Sequence, residues 1–580
     1  MSIIICIAQN TKELDFIVKN YNSPKLHCLP ISLETYCYCK KNGINILNIN
    51  YSLEINKQKE LLTNVNNILE TIHFDKSISL AFNNEILSAY RYTLHSSFYL
   101  IELLYLACQI DDIEKIIISG WESQTKNIFS IENYIVSALV ENFARFKNLN
   151  IFKINQDRGF QNDLYNYKYF TEKRISNYIL LNSPAYNFNR ISLVSILFNL
   201  KNSSITFSKP TFYNSLKWKL LNHSFIYFNN LVIDKYTPTL NKHTFNISYK
   251  SINLDNILNM RRYMLSYYMH DLLAKKKAID EFIKCNIPKS IFSFSCRGID
   301  GYLLEKSKFI NTKSILISHG TVAEFYNLFD KIYKQIIADA VFSGKASYTL
   351  LQTKIAVIAK DSLIIRSESF ATGNLIFSGI KTSKKKKYFL YCVTLKDFNN
   401  LQFLGVENYY QFLENLNILN RVSVNTGEKF IIKLHPSQEK LSFDLINLYP
   451  DLIFSNKSIK KLLRYAYGLI SFSSTSIEDA LTSKVPVILF DLNNCYKHCN
   501  SEIDVSKLNE PIYYVNNEID FIQSIKTIQD SNEISYNSIL INSNHYFDNI
   551  FNLFISLGFK CKYPYLKKYI LNFIYKLNLI

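Results

Sequence analysis

The chain has 580 residues, of which 48% are hydrophobic and 20% charged, and its formal net charge is +18. This length exceeds one ordinary hydrophobic core, so the composition predicts two or three globular domains and excludes a single small domain. The basic excess favours anionic partners in general, such as nucleic acid, acidic lipid, or anionic sugars and nucleotides.

Apolar segments and cysteines indicate the compartment. No segment reaches the roughly 18 apolar residues that a membrane span needs, and ISLVSILFNL at 191–200 comes nearest. The opening MSIIICIAQNTKELDF has no basic lead or small-residue cleavage site, and it predicts a strand followed by a helix. The 11 cysteines are scattered, as reduced thiols are, and the CYKHC motif at 495–499 has no second ligand pair at zinc spacing. We therefore expect a cytoplasmic protein without a metal site or other cofactor.

Strand-like and helical patterns alternate along the first part of the chain, which is typical of parallel α/β architecture. The predicted strands there are IIICIA, ISLAF and KIIISG, and helical periodicity covers 97–109 and 133–146. From about 180 to 250 the pattern loosens, which predicts an insertion. After 253, a long helix leads to strand SIFSFS, loop CRGIDG, a second helix and strand SILIS.

Four consecutive lysines at 384–387 suggest a solvated linker, with a dedicated anion site as the less favoured alternative. Beyond them, strands YFLYCV, FIIKLH, DLIFS, YGLISFS and VPVILFD alternate with helices, which predicts a doubly wound sheet. We expect an N-terminal Rossmann-like domain at 1–380, a C-terminal one at 381–545 facing it across a cleft, and a basic amphipathic helix at 546–580.

Strand FIIKLH ends on His435 and Pro436, and proline stops the hydrogen-bond ladder because it has no N–H group. His435 is thus predicted at the carboxyl end of a strand, where open α/β sheets bind ligands, although a plain turn residue is the alternative. Lys433 lies two residues earlier on the same side of the strand, where a surface role is also open.

Strand YGLISFS runs into Ser473, Ser474 and Thr475, and Thr475 to Glu478 fits a capping box that begins a helix. A helix N-terminus with added hydroxyl groups can hold a phosphate, and a simple helix cap is the alternative interpretation. Position favours the phosphate, because His435 and Ser473 are expected at the same carboxyl edge of one sheet.

The motif order HGT (319–321), ATGN (371–374), KLHP (433–436) and SSTSIEDALTSKVPVI (473–488) resembles bacterial surface-polysaccharide glycosyltransferases of the GT-B fold. The chain resembles both the HP-motif enzymes that use CMP-activated sialic acid or Kdo and the CDP-glycerol glycerophosphotransferases. The resemblance covers roughly 285–495. It implies transfer of a CMP-linked acidic sugar to a surface glycan, with CDP-glycerol transfer or a UDP-sugar 2-epimerase activity as alternatives.

The resemblance also implies residue roles. The donor side would be formed by His435, Pro436, Ser473, Ser474, Thr475, Glu478 and Lys433. His319 matches the acceptor-side histidine of the HGT motif. Asp300-Gly301 is similar to an acidic-acidic-Gly motif whose acid is the proposed base, although Ile299 replaces the first acid.

An inverting transfer needs a base for the acceptor hydroxyl and donors for the departing phosphate. His319 or Asp300 would supply the first. Arg297 could meet an anionic acceptor, with surface exposure as the alternative, and no DxD-type site stands near these strands. We expect metal-independent, inverting chemistry.

In YLKKYILNFIYKLNLI at 565–580, apolar residues recur at helical spacing beside lysines. Such a helix could lie on the inner face of the cytoplasmic membrane beside a lipid-linked acceptor, or pack back on the first domain as GT-B chains often finish. Nucleic acid is not the expected partner, because the basic residues are dispersed and no recognition motif is present.

Overall fold

The computed structural model describes residues 2–21, 23–72, 79–110, 112–119, 133–154, 162–169, 175–182, 189–207, 223–236, 244–317, 346–360, 367–373, 379–393, 408–494, 496–541, 546–566 and 569. These residues form three large β-sheets, in which the pairing is parallel except for one antiparallel edge pair in the second sheet. The α/β class with doubly wound parallel sheets is confirmed. Two sheets precede residue 381, where the sequence predicted one domain with an insertion.

The first sheet has the order β3-β2-β1-β4-β5 within the described residues. Its strands are β1 (Ile3–Ala8), β2 (Leu26–Pro30), β3 (Asn45–Ile46), β4 (Ile113–Ser119) and β5 (Ile151–Ile154). The helices around it are α1 (Thr11–Asn20), α2 (Leu33–Asn42), α3 (Ile55–Thr71), α4 (Leu80–Ile110) and α5 (Asn133–Lys147). Every residue of β1 is buried, because helices cover both faces of this sheet.

The second sheet has the order β15-β14-β13-β12-β7-β8-β9-β6. Its strands are β6 (Asn162–Tyr169), β7 (Tyr178–Asn182), β8 (Lys201–Thr206), β9 (His223–Tyr236), β12 (Ser290–Ser293), β13 (Lys313–Ile317), β14 (Tyr348–Leu351) and β15 (Glu368–Ala371), with the short hairpin β10 (Ser248–Tyr249) and β11 (Ile252–Asn253) outside it. The helices are α6 (Asn189–Leu197), α7 (Asp255–Cys285), α8 (Gly298–Phe309) and α9 (Lys354–Lys360). Segment 180–250, predicted as an insertion, therefore supplies strands to this sheet.

The third sheet has the order β18-β17-β16-β19-β20-β21. Its strands are β16 (Tyr388–Val393), β17 (Phe430–Leu434), β18 (Ile453–Phe454), β19 (Ala466–Ser471), β20 (Val487–Phe490) and β21 (Ile512–Val515). The helices are α10 (Tyr409–Thr426), α11 (Ser442–Leu448), α12 (Ile459–Leu463), α13 (Ser476–Thr482) and α14 (Glu518–Asp530). Separate apolar clusters cover the two faces, one around Phe412 and Phe430 and the other around Leu469 and Leu481.

Helix α15 (Tyr546–Ser556) follows the third sheet but packs on the second. Phe554 stacks on Phe198, which follows α6, with ring centroids 5.1 Å apart, and the Lys562 amide donates to the Leu197 carbonyl at 2.9 Å. This return of the chain links the third sheet to the second. The basic amphipathic pattern of 565–580 lies almost entirely outside the described residues.

The first sheet contacts the third at their carboxyl edges. The hydroxyl groups of Tyr409 and Tyr410, which open α10, both donate to the carbonyl of Pro30 at the end of β2. The rings of Tyr51 and Tyr410 stack with centroids 4.3 Å apart. These contacts hold the carboxyl edge of the third sheet, where the sequence predicts the site residues, against the first sheet.

One predicted strand is wrong. Segment 78–82, ISLAF, was expected as a strand, but Leu80 already begins the 31-residue helix α4. A short apolar run has no period long enough to separate a strand from a buried helix. The helix prevails because its apolar residues continue far beyond the run and pack into the first core, as Leu94, Phe98 and Ile101 do.

None of the described helices has the length and apolarity needed to cross a membrane. Within the same residues, no group of three or more His, Cys, Asp or Glu side chains is arranged to hold a metal ion.

Candidate functional site at the carboxyl edge of the third sheet

The strand order of the third sheet defines a crevice. β16 comes first in sequence, β17 and β18 extend the sheet to one side, and β19 returns to pair with the other side of β16. In open α/β sheets, ligands bind outside the carboxyl ends of the strands at such a switch point. The residues that follow β16, β17 and β19 are therefore the candidates for a binding site.

His435 lies directly after β17, whose last residue, Leu434, pairs with Val393. Pro436 begins a 3₁₀ turn, and the Gln438 amide donates to the His435 carbonyl at 2.8 Å. Both His435 and Pro436 are exposed. The proline thus ends the strand as predicted, and the turn leaves the imidazole at the carboxyl edge.

The loop after β19 is folded by its own serine hydroxyls. Ser471 Oγ donates to the Cys392 carbonyl at 2.8 Å and accepts from the Ser474 amide at 3.4 Å. Ser474 Oγ accepts from the Ser476 amide at 3.3 Å. The Ser473 and Thr475 hydroxyls form no hydrogen bond with any described residue, and Ser473 is half-buried while Thr475 is exposed. These two hydroxyls remain available to a ligand.

The strand register places the two clusters at one level. Leu434 pairs with Val393, and Tyr391 pairs with Ile470, so the residues after β17 and β19 flank the same end of β16. His435 and Ser473 are therefore two strand spacings apart, or about 10 Å across the sheet. Side chains reaching inward from both sides could contact one phosphate-bearing ligand.

The predicted capping box is wrong. Thr475 has helical backbone angles and makes no side-chain cap bond, and α13 contains only seven residues. Glu478 is 3% exposed. It faces His498, with Oε1 3.8 Å from Nε2. Its carboxylate turns into the protein, away from the Thr475 backbone, because the first turn of α13 packs against the loop after β20.

Sequence reasoning considered His498 only as part of CYKHC. The structure places its Nε2 3.8 Å from Glu478 Oε1 on one side and its Nδ1 3.2 Å from the Tyr496 hydroxyl on the other. The next residue of α13, Asp479, has its pKa raised to about 7, chiefly because burial and the Glu478 charge disfavour ionisation. No local pattern signals this polar cluster, since its members come from two segments that meet only in the fold.

Lys433 is not free to meet a ligand. Its ammonium group lies 2.5 Å from Glu439 Oε1 of the 3₁₀ turn, and only 11% of its side chain is exposed. The structure therefore pairs this strand residue with the 3₁₀ turn that follows it.

Arg297 and Asp300 lie on the second sheet, at the beginning of α8 after β12. β12 pairs with β7 at the switch point of that sheet, so both residues also lie at a carboxyl edge. They belong to the second sheet, whereas His435 follows a strand of the third. His319, the other predicted catalytic residue, lies outside the described residues.

The structure also places Glu85 of α4 beside the carboxyl edge of the second sheet, and no sequence pattern predicted this residue as part of a site. It is 6% exposed, and its Oε1 accepts from the Tyr268 hydroxyl at 2.7 Å. A Cβ atom on Gly298, which has φ +53°, would lie 2.4 Å from Glu85 Oε2. Burial raises the pKa of Glu85, while the Tyr268 hydroxyl and the charges of Arg297 and Lys275 oppose the rise.

No protein-family model matches the chain, and no curated protein does either. Among solved structures, it is similar to the UDP-GlcNAc 2-epimerase of Methanocaldococcus jannaschii, with 14% identity and a TM-score of 0.40 over 66% of this chain and 99% of the other. The Neisseria meningitidis UDP-GlcNAc 2-epimerase gives 10% identity and a TM-score of 0.39, over 65% and 99%. The wall teichoic acid polymerase TagF gives 13% identity and a TM-score of 0.33, over 70% of this chain and 90% of the other.

Proposed function

We propose that the chain is a glycosyltransferase that takes a sugar from a CMP-activated acidic donor, of the sialic acid or Kdo type, and transfers it to a surface-glycan acceptor at the cytoplasmic face of the membrane. One observation carries the proposal. His435 is exposed at the same carboxyl edge as the available hydroxyls of Ser473 and Thr475, on the two sides of the first strand of a doubly wound sheet.

The proposed donor site performs a definite chemical task. When the bond between the sugar anomeric carbon and the CMP phosphate oxygen breaks, negative charge grows on that oxygen. An imidazole N–H from His435 and the hydroxyls of Ser473 and Thr475 would donate to it, which stabilises the departing CMP. Such charge-assisted hydrogen bonds are stronger than neutral ones.

The acceptor hydroxyl must lose its proton as its oxygen bonds to the anomeric carbon from the opposite side. We assign this base to the second sheet, where Asp300 lies in the first turn of α8, or to His319 further along the chain. Arg297 immediately precedes α8, where its positive charge suits an acidic acceptor. No metal is required by this scheme, because the donors to the phosphate are protein groups.

The basic character of the whole chain supports an anionic donor. A net charge of +18 raises the local concentration of anions such as a nucleotide linked to an acidic sugar. This effect is general, so it favours the class of donor and does not select the base.

The test is thermal stabilisation by CMP, CDP, UDP and GDP, compared between the wild type, His435→Ala, and Lys440→Ala as matched control. Lys440 is an exposed residue of the same 3₁₀ turn. We expect CMP to raise the melting temperature most and His435→Ala to weaken CMP binding about tenfold or more, as expected for loss of a hydrogen bond to a charged group. Lys440→Ala should respond as the wild type does.

Other outcomes would redirect or overturn the proposal. A preference for CDP would indicate glycerol phosphate transfer, and a preference for UDP an epimerase or a hexose transferase. If no nucleotide stabilises the wild type, or if His435→Ala responds fully, His435 is only a turn residue and the proposed donor site is wrong.

A further inference from the structure

A cavity that includes neither His435 nor the Ser473 loop lies on the third sheet. Its volume is about 970 Å³, and it is lined by residues of α12, of strands β16 to β18, and of the linker that precedes β16. Tyr388, at the amino end of β16, lines it, whereas the donor edge lies beyond Val393 at the carboxyl end. The cavity and the proposed donor site have no lining residue in common.

The described charged residues that line this cavity all have one sign. Among the described residues, six basic ones and no acidic one line it, namely Lys381, Lys387, Lys457, Lys460, Lys461 and Arg464. Lys381, Lys457, Lys461 and Arg464 form no ion pair with any described residue. The remaining lining is largely apolar and aromatic, with Tyr388, Phe454 and Tyr465 among it. Like charges gathered this closely repel one another, so an anion between them would be stabilising.

The wall of the cavity is held by backbone contacts. The Ser383 amide donates to the Arg464 carbonyl at 2.8 Å, and the Lys387 amide donates to the Tyr465 carbonyl at 2.9 Å. The Tyr388 hydroxyl donates to the Leu462 carbonyl at 2.8 Å. These bonds join the linker to the segment of α12 and β19, so the lysines on both sides keep a fixed separation.

Glycine at 379 is required where the linker enters the cavity. Its φ is +72°, and a Cβ atom there would lie 2.5 Å from the Thr482 carbonyl oxygen at the end of α13. The linker therefore packs tightly on the helix that follows the Ser473 loop. This close approach fixes one side of the cavity before any ligand binds.

The run Lys384–Lys387 divides at this point. Lys384 and Lys385 are exposed and do not line the cavity, whereas the Lys387 ammonium lies 5.0 Å from the centre of the Tyr465 ring inside it. The solvated linker predicted from the sequence therefore matches Lys384 and Lys385 but not Lys387. Lys384 and Lys385 have the same charge as the cavity lysines and similar exposure, so they serve as internal controls.

We propose that this cavity binds a compact organic polyphosphate, that is, a small molecule or lipid headgroup with several phosphate groups. Five of the six cations are lysines, which bind phosphate as point charges, whereas carboxylates are recognised best by paired arginine nitrogens. Each phosphate monoester carries about −1.5 to −2 charges, so about three would balance the lining. The volume is that of a small-molecule site and the aromatic residues offer a surface for the organic part.

This inference is independent of the proposed transferase activity, because it uses none of the donor-edge residues. Its test is isothermal titration of inorganic tripolyphosphate, and co-sedimentation with phosphatidylcholine vesicles with or without a phosphoinositide polyphosphate. Three proteins are compared: the wild type, Lys457→Glu/Lys461→Glu, and the control Lys384→Glu/Lys385→Glu. Both double variants change the net charge equally.

We expect the wild type and the control to bind tripolyphosphate with affinities within about threefold, and the Lys457→Glu/Lys461→Glu variant to bind at least about tenfold more weakly. Binding to the phosphoinositide vesicles alone, lost only in the cavity variant, would identify the lipid headgroup as the source. Equal weakening in both double variants would show general charge attraction and overturn the proposal. So would the absence of binding to both probes.

Folding is checked with Lys457→Ala/Lys461→Ala. Both lysines are exposed, and removing like charges from the cavity lowers repulsion, so this variant should melt no lower than the wild type without ligand. It should still lose tripolyphosphate binding. If it binds as the wild type does, the cavity lysines do not form the site.

Discussion

The first sheet has the strand order 3-2-1-4-5 and the third has the same order with a sixth strand added, but the loops at their switch points differ in how they satisfy their own polar groups. After β1, the Asn10 side chain accepts from the Glu13 amide at 3.0 Å, and Glu13 Oε2 accepts from the Gln9 amide at 2.9 Å. After β19, Thr475 makes no cap bond and the Ser473 hydroxyl has no described partner. The topology places a crevice in both sheets, and the loop chemistry decides whether a ligand finds donors there.

Contacts between the sheets sharpen this difference. Pro30, at the carboxyl edge of the first sheet, accepts hydrogen bonds from Tyr409 and Tyr410 of the third. Glu13 is 2% exposed, whereas His435 is exposed. The first sheet therefore acts as a packed support, and the third presents groups to solvent.

The largest expected effect concerns Asp479, whose pKa is raised from 3.8 to about 7, mainly by burial. The folded state keeps a proton that the unfolded state loses between about pH 4 and 7, so stability falls as pH rises through this window and is level above it. The Asp479 carboxylate accepts no hydrogen bond from a described residue, and its backbone carbonyl accepts from Ser483, so Asp479→Asn removes this pH dependence without losing a side-chain hydrogen bond. Within this window, the equilibrium constant for opening of the wild type should rise by about tenfold per pH unit relative to that of the variant.

Native-state hydrogen exchange of peptides from β19 and β20 measures this opening. The exposed acid Asp451 provides the control, and Asp451→Asn should follow the wild-type profile. Parallel profiles for Asp479→Asn and the wild type would show that Asp479 is ionised in the folded protein. The burial assigned to the third-sheet edge would then be incorrect.

A smaller effect tests the two loops directly. Asn10→Ala removes the cap of α1 and should destabilise the first sheet by about 1 kcal/mol, because the Glu13 amide loses its acceptor. Thr475→Ala removes no cap bond and should change the stability of the third sheet by less than about 0.5 kcal/mol. Urea dependence of hydrogen exchange in β1 and β19 reports both values. Equal losses of stability in the two variants would contradict the inference that the loop after β1 is held by a side-chain cap and the loop after β19 is not.

The smallest effect is expected at the surface. Lys25 pairs with Glu114 at 3.1 Å beside the first sheet, and Arg421 pairs with Glu518 at 2.6 Å beside the third. Because water and salt screen exposed ion pairs, Lys25→Ala and Arg421→Ala should leave the melting temperature nearly unchanged. Calorimetry in low and high salt would show this. A large loss in one variant alone would mean that surface charge, and not loop chemistry, distinguishes the two sheets.

The sequence by itself determined the fold class and the ends of the central strands. The apolar run 3–8 coincides with β1, and the run 430–434 before His435 and Pro436 coincides with β17. These features are local, because an apolar period and the missing N–H of proline act on neighbouring residues wherever the chain folds. For this reason the carboxyl-edge position of His435 and Ser473 was predictable.

Only the tertiary structure decided which polar groups meet. The inward turn of Glu478 onto His498, the approach of Glu85 to Gly298, and the convergence of the linker with α12 around the basic cavity each join segments that are distant in sequence or in different elements. The helical state of 80–82 was decided in the same way. Side-chain direction and burial depend on packing between such segments, and the local pattern of one segment carries no record of its partner.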